Sequence, residues 1–125
     1  MAEILLCAVR GPEGFEKEVV LKRIRSHFAK DPGFVRMFVD EARVVSRLHH
    51  PNIVQVFDFD QHEDSYYLAM EYVRGKSLWE LRKRCREQLV PLPPVLAAFM
   101  AAEVARALEH AHGLQENGRP LGVVH

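Results

Sequence analysis

The 125-residue chain carries 17 basic and 17 acidic side chains, so its formal net charge at pH 7 is zero. This balance disfavours a nucleic-acid partner, because proteins that bind a phosphate backbone normally carry a basic excess. No apolar run approaches the length of a membrane span, and no secretory signal follows Met1. The two cysteines, Cys7 and Cys85, are far apart, which favours free thiols in the reducing cytoplasm.

The first elements predicted along the chain are two strands joined by a turn. Residues 3–9 (EILLCAV) form an apolar run of strand length, and residues 16–24 (EKEVVLKRI) are rich in β-branched side chains. Between them, residues 10–14 (RGPEG) combine the strongest turn formers. The pattern predicts an antiparallel hairpin.

A helix is predicted next. Asp31 can cap its amino end, and Pro32 fits the first helical position because its missing N–H has no partner there. Pro51 disfavours helix at the residue before it, so the helix is expected to end there. The apolar residues that recur along one predicted face are Phe34, Phe38, Val45 and Leu48.

Two further strands follow that helix. Residues 53–59 (IVQVFDF) and 65–73 (SYYLAMEYV) are apolar and aromatic runs on either side of the polar segment 60–64. This arrangement predicts a second antiparallel hairpin.

The rest of the chain is predicted to be mainly helical. Residues 77–89 have the pattern of a short amphipathic helix, and residues 95 to about 115 that of a longer one. Residues 116–120 predict a turn, and residues 121–125 predict an extended segment. The basic run at residues 82–86 is interpreted as a solvated helix face rather than a nucleic-acid site.

Two charged residues stand where apolar side chains are expected. Glu41 falls within the stripe of the first helix, and Lys22 alternates with Val20 and Ile24 on one face of its strand. A buried unpaired charge is costly, so we predict that the Lys22 ammonium meets the Glu41 carboxylate between strand and helix. The alternatives are that Lys22 extends along an edge strand to water and that Glu41 lies at the margin of the stripe.

With these residues in place, the sequence resembles the small lobe of protein kinases. VVLK (19–22) is similar to the strand that carries the family's phosphate-binding lysine, and Glu41 resembles the glutamate of helix C. The amino-acid sequence is most similar to those of bacterial serine/threonine kinases. The other matching segments are LHHPNIV (48–54), YLAMEYVRGKSL (67–78), AAEVARALEHAHGL (101–114) and GVVH (122–125), which resemble the link after helix C, the fifth strand with the hinge, the scaffold helix of the large lobe and the lead-in to the catalytic loop.

The resemblance implies an α+β fold in two parts. Residues 1–72 would form a partial small lobe, an antiparallel sheet with helix C but without the first strand. Residues 73–125 would form the hinge and the first helices of the large lobe. The glycine-rich loop, the catalytic aspartate and the metal-binding residues are then expected outside this chain, which would be an N-terminal fragment without phosphotransferase activity of its own.

The resemblance also implies ATP and Mg²⁺ as cofactors, with no metal ligand in this chain. Lys22 would hold the α- and β-phosphates while Glu41 keeps it in place. Met70 would control access to the pocket behind the adenine. The full set of nucleotide-binding residues implied by the resemblance is Ile4, Val20, Lys22, Met70, Glu71, Val73 and Ser77. Without the kinase register, Ile4, Val20 and Met70 would be interpreted as ordinary core.

Three functions follow as hypotheses. The first is a serine/threonine kinase that transfers the γ-phosphate of ATP to a protein substrate, in which Val45, Val56 and His125 belong to an apolar column that links the lobes. The second is a pseudokinase that acts as a scaffold. The third is an independent α+β binding module, although we expect the isolated chain to be poorly soluble or partly molten.

Overall fold

The computed structural model describes residues 2–25, 27–116 and 118–120. Its internal contacts divide the chain into two compact units, residues 1–72 and residues 73–125. The first unit is an antiparallel sheet with one helix, and the second consists of two helices and a small hairpin. The chain therefore has the α+β architecture expected from the sequence.

Four antiparallel strands form the sheet of the first unit. In chain order they are β1 (Ala2–Arg10), β2 (Glu16–Ile24), β3 (Val56–His62) and β4 (Ser65–Glu71). Their order across the sheet is β1-β2-β4-β3, so β2 and β4 are central and β1 and β3 lie at the edges.

The first hairpin agrees with the sequence-based prediction. β1 and β2 pair along their full length, from Ala2 opposite Ile24 to Arg10 opposite Glu16. The turn between them closes with a hydrogen bond of 2.8 Å from the Gly11 amide to the Phe15 carbonyl. It requires a left-handed backbone at its end, which a glycine at position 14 (φ +80°) adopts without strain.

The second hairpin is displaced along the chain relative to its prediction. β3 begins at Val56 rather than at residue 53, because the Ile53 amide donates a 3.0 Å hydrogen bond to the His50 carbonyl in a turn. The polar residues expected to form a loop instead extend the strand, and His62 pairs directly with Ser65. The predicted loop of five residues is therefore a two-residue turn.

One helix, α1 (Pro32–Val45), packs on the sheet. The Asp31 side chain accepts hydrogen bonds from the amides of Gly33 (2.8 Å) and Phe34 (3.3 Å), as predicted for its cap. The helix ends before the predicted position near Pro51, because its last residues tighten into turns in which the Leu48 amide donates to the Val45 carbonyl.

A compact apolar cluster joins sheet and helix. Its buried members are Ile24 on β2, Leu68 on β4, and Phe38 and Ala42 on α1. Aromatic side chains from both elements surround this cluster, with the rings of Phe38 and Phe59 6.1 Å apart between centroids. This cluster fixes α1 against the sheet.

The second unit contains α2 (Leu78–Glu87), α3 (Pro94–His112) and a hairpin of β5 (Gln115–Glu116) with β6 (Arg119–Pro120). Both helices lie within one to three residues of their predicted bounds. The predicted turn at 116–120 falls within this hairpin, and the predicted segment 121–125 lies outside the described residues. No described helix combines the length and apolar composition needed to cross a membrane.

Candidate nucleotide site

Strand register brings four candidate residues of the first unit to one face of the sheet. Directly opposed residues of antiparallel strands project to the same side, and residues two apart share that side. Lys22 pairs with Ile4 on β1 and with Leu68 on β4, and Val20 pairs with Met70. Because Leu68 and Met70 contact α1 and its cluster, this is the face that carries the helix.

Lys22 and Glu41 meet across the interface of β2 and α1. The Lys22 ammonium donates a hydrogen bond of 2.5 Å to the Glu41 carboxylate. The same ammonium lies 5.6 Å from the centre of the Phe38 ring, close enough for a cation–π attraction. The predicted contact between the two charges is confirmed.

The predicted burial of this pair is wrong. The side chain of Lys22 is 25% exposed and that of Glu41 is 44% exposed. The helix stripe passes through Phe38 and Ala42, because the small alanine lets the helix approach the sheet, and Glu41 therefore lies at the margin of the stripe. The alternative placement of Glu41 is thus the one that the structure adopts, although its partner is the predicted one.

Exposure limits what this ion pair contributes to stability. Exposed or half-exposed pairs contribute about 0–1 kcal/mol, because water and salt screen the attraction. α1 is held by the apolar cluster beneath it, so the pair mainly determines where the ammonium lies on the sheet. A positioned cation beside an open apolar surface can bind a polyanion that carries a flat ring.

The apolar surface beside Lys22 differs in exposure from strand to strand. Ile4 on edge strand β1 is 63% exposed, whereas Val20 and Met70 on the central strands are half-buried. Ile4 and Val20 are therefore both available at the surface of the helix-bearing face. Met70 packs partly against the apolar cluster.

Glu71, at the end of β4, is held by a residue that the sequence did not single out. Its amide donates a hydrogen bond of 2.8 Å to the Gln55 carbonyl, and the Gln55 amide donates to the Glu71 side chain at 3.3 Å. No sequence motif marked Gln55 as significant. Gln55 ties the end of β4 to the segment that leads into β3.

The remaining two candidates belong to the second unit. Val73 is 60% exposed. Ser77 caps α2 in a reciprocal arrangement: its hydroxyl accepts from the Glu80 amide at 3.2 Å, and its own amide donates to the Glu80 carboxylate at 2.8 Å. The hydrogen bonds from the Ser77 amide and hydroxyl, with a smaller contribution from the Lys76 charge, lower the pKa of Glu80.

Two of the three residues predicted to form the apolar column lie among the described residues. Val45 on α1 and Val56 on β3 both pack against the apolar cluster. His125 lies outside the described residues. Within the described ranges, no three His, Cys, Asp or Glu side chains come together as a metal-ion site.

Comparison with known proteins places this geometry in a family. The family model for the protein kinase domain matches residues 11–125. The chain belongs to the protein kinase domain family. It is 46% identical over its whole length to the tyrosine-protein kinase MasK of Myxococcus xanthus, and 38% identical over 78% of its length to the serine/threonine-protein kinase PrkC of Bacillus subtilis.

A solved structure of the same family has a similar fold. The PknI kinase domain of Mycobacterium tuberculosis matches 86% of this chain with a TM-score of 0.66 at 30% sequence identity. The match covers 41% of that kinase domain. The chain spans 20% of the length of MasK and 14% of the length of PrkC, so it corresponds to a limited part of these relatives.

Proposed function

We propose that this chain supplies the ATP-positioning part of a protein kinase that transfers the γ-phosphate of ATP to serine or threonine hydroxyls of a protein substrate. The observation that carries the proposal is the 2.5 Å contact between Lys22 and Glu41. Its support is the register that puts Lys22 on the same sheet face as Ile4, Val20 and Met70.

Lys22 is the group proposed to bind the nucleotide's α- and β-phosphates. Its ammonium neutralises negative charge and fixes the phosphates, which is catalysis by position and electrostatics. Glu41 keeps the long lysine side chain in one orientation. ATP, when bound, supplies the phosphoryl group that is transferred.

Apolar and backbone groups are proposed to bind the rest of the nucleotide. Ile4 and Val20 offer the surface that covers the adenine, and Met70 borders the space behind it. The backbones of Glu71 and Val73 are assigned to the adenine edge by the family resemblance.

Ser77 is proposed to contact the ribose. Its hydroxyl donates to the Glu80 carboxylate at 2.9 Å and accepts from the Glu80 amide. Because a hydroxyl oxygen has two acceptor lone pairs, one remains for a ribose hydroxyl. The ribose contact is therefore compatible with the cap.

Mg²⁺ accompanies ATP in this family. The contribution proposed for the described residues is to bind the nucleotide. ATP is a cytoplasmic nucleotide, so the same proposal places this part of the protein in the cytoplasm.

The relatives differ in the type of hydroxyl that is named as the phosphate acceptor. PrkC is named a serine/threonine-protein kinase and MasK a tyrosine-protein kinase. Tyrosine is therefore the second candidate acceptor. Acid hydrolysis of the phosphorylated product, followed by separation of phosphoserine, phosphothreonine and phosphotyrosine, distinguishes the two.

The proposal is tested by replacing the two charges in the protein that contains this chain at its natural length. We expect Lys22→Met and Glu41→Gln each to lower the rate of ATP-dependent phosphorylation by about 10²-fold or more, because each disturbs the cation that the phosphates require. Protein phosphorylation with labelled ATP is the measurement.

Matched controls come from the same two elements. Lys17→Met removes a cation from the opposite face of β2, where the ammonium lies 3.6 Å from the centre of the Phe57 ring. Asp40→Asn removes the carboxylate next to Glu41, which pairs with Arg43. Both should keep most of the activity. ATP binding without any phosphotransfer by the unsubstituted protein would favour the pseudokinase hypothesis instead.

A further inference from the structure

An open groove of about 420 Å³ lies between the carboxyl end of α2 and the segment that follows it. Arg82, Cys85 and Arg86 line it from the helix, and residues 89–92 line it from the following segment. All of these residues belong to the second unit, and none is among the proposed nucleotide-binding residues.

The helix that borders this groove ends in an unusual backbone conformation. The Val90 amide donates to the Cys85 carbonyl at 2.9 Å, and the Leu89 amide donates to the Arg86 carbonyl at 3.2 Å. This pair of bonds is the Schellman motif, which requires a left-handed residue at the position of Leu89. Leu89 has φ +55°, although glycine is the residue that normally adopts this conformation.

The leucine is not explained by local packing. Its side chain is 90% exposed, so it makes almost no contact that would offset its backbone strain. Left-handed backbone at a residue with a bulky side chain is unfavourable, and such residues concentrate at binding and functional sites. The combination of strain and exposure makes Leu89 a candidate for contact with a binding partner.

The helix side of the groove carries two unneutralised charges. Lys76, just before the helix, and Lys83 on it each pair with a glutamate of the helix, Glu80 at 3.6 Å and Glu87 at 3.8 Å. Arg82 and Arg86 make no ion pair with any carboxylate in the described part of the chain. Guanidinium groups are suited to carboxylates, which they can bind through two parallel hydrogen bonds.

We propose that this groove is a docking site for an extended acidic segment of a partner protein that also presents an aliphatic side chain. Arg82 and Arg86 are one helical turn apart, which separates their β-carbons by roughly 6 Å. Alternate residues of an extended segment are about 6–7 Å apart, so two carboxylates with one residue between them match the two arginines. The aliphatic side chain would pack on Leu89 and Val90.

Charge and surface chemistry favour this occupant over an anionic membrane. The apolar part of the groove is a short segment after a helix rather than a continuous apolar helix face, which a membrane-surface helix would need. The carboxylates of Glu80 and Glu87 on the same helix would also be repelled by an anionic lipid surface. Docking does not depend on phosphotransfer, so it can be tested apart from the proposed kinase activity.

The test is fluorescence anisotropy of the protein that contains this chain at its natural length, with a labelled 12-residue peptide. The peptide contains Glu-Ser-Glu followed two residues later by leucine, and its control has both glutamates replaced by glutamine. We expect saturable binding of the acidic peptide with a Kd below about 1 mM, and at least tenfold weaker binding of the control. Binding should weaken as ionic strength rises.

Variants of the helix locate the site. Arg82→Ala and Arg86→Ala should each raise the Kd about three- to tenfold, because each removes a charged hydrogen-bond donor. Arg84→Ala makes the same change on the same helix at a residue that does not line the groove, and should leave the Kd within about twofold. The reversal Arg86→Glu should weaken binding further, and a lysine in place of the facing glutamate should restore it.

Leu89→Gly separates docking from folding. Glycine relieves the strain at a positive φ, so the variant should be as stable as the original chain or more stable. It should nevertheless bind the acidic peptide several-fold more weakly, because the aliphatic contact is gone.

Three outcomes would overturn the proposal. The first is no saturable binding up to about 1 mM peptide. The second is equal binding of the glutamate and glutamine peptides. The third is retention of the chain by vesicles containing phosphatidylserine together with no binding of the acidic peptide.

Discussion

Residues 1–72 bury large apolar side chains from both a sheet and a helix, whereas the buried residues described in the second unit are two alanines. Ile24, Phe38 and Leu68 are at most 3% exposed in the first unit. In the second unit Ala107 and Ala111 are 9% and 8% exposed, while most of the large apolar side chains of α2 and α3 remain open to solvent. The two units therefore rely on different interactions to maintain their local structure.

The comparison shows which interactions matter in each unit. Side-chain burial fixes the first unit, so its helix keeps its place even where a surface charge is lost. The second unit depends more on hydrogen bonds at helix ends, such as the Ser77 cap and the bonds around Leu89. The same kind of substitution should consequently have different effects in the two units.

The largest contrast is expected from placing a charge on each helix. Val45→Asp puts a carboxylate against the apolar cluster, so we expect a loss of about 3–4 kcal/mol or more in the free energy of unfolding, and loss of the proposed phosphotransfer. Val104→Asp on α3, where the valine is 57% exposed, should cost less than about 1 kcal/mol. Urea denaturation followed by circular dichroism measures both, and equal losses would contradict the comparison.

Truncation of an aromatic ring gives a contrast of similar size. Phe38→Ala removes a side chain that is 3% exposed and should cost about 3–5 kcal/mol. Phe99→Ala on α3 removes one that is 61% exposed and should cost less than about 1 kcal/mol. If thermal unfolding shows similar midpoints for the two variants, α3 is buried more deeply than its described surroundings indicate.

Removal of a helix cap should accelerate amide hydrogen exchange over more residues in the second unit than in the first. Ser77→Ala and Asp31→Ala each remove a cap worth about 1 kcal/mol. Amide hydrogen exchange in α2 should accelerate throughout the helix after the first change, because little burial holds it. After the second change, acceleration confined to the first turn of α1 is expected, since the apolar cluster holds the rest. If the accelerated exchange extends equally far along both helices, the proposed difference between the two units is wrong.

The smallest effect is a pH dependence of the α2 cap. Hydrogen bonds from Ser77 lower the pKa of Glu80, so the ionised carboxylate stabilises the helix above its ordinary pKa of about 4.5, and this stabilisation is lost as pH falls through the lowered value. Hydrogen exchange of α2 should therefore speed up on acidification below about pH 4.5 relative to α3. Glu80→Gln keeps the capping box but does not titrate, so it should lack this extra dependence.

Local chemistry made much of the fold predictable. β2 has the bounds that its β-branched residues indicate, and the start of α1 follows from Asp31 and Pro32, since caps and turns act through neighbouring residues. The contact of Lys22 with Glu41 was predicted from two charges within apolar patterns, although the burial that motivated the prediction is not found.

Features that depend on tertiary packing were not predictable in the same way. Ala42 takes the central place on α1 that the count of large apolar residues gave to Glu41, and β3 starts three residues late because a turn occupies the residues after Pro51. Gln55 and the left-handed Leu89 have no local sequence signal. The role of Gln55 emerges from its hydrogen bond to the distant Glu71, and the conformation of Leu89 from the hydrogen bonds that end α2.

The half-exposed contact between Lys22 and Glu41 has a consequence for how natural variants of this protein would behave in a cell. Since that contact adds little to stability, a Glu41 variant should fold, escape proteolysis and accumulate at normal abundance while lacking a correctly oriented lysine. A Phe38 variant should instead be cleared by quality control. Loss of the proposed activity could thus arise either from an abundant protein with a misplaced lysine or from a protein that is degraded, and an immunoblot would distinguish the two cases.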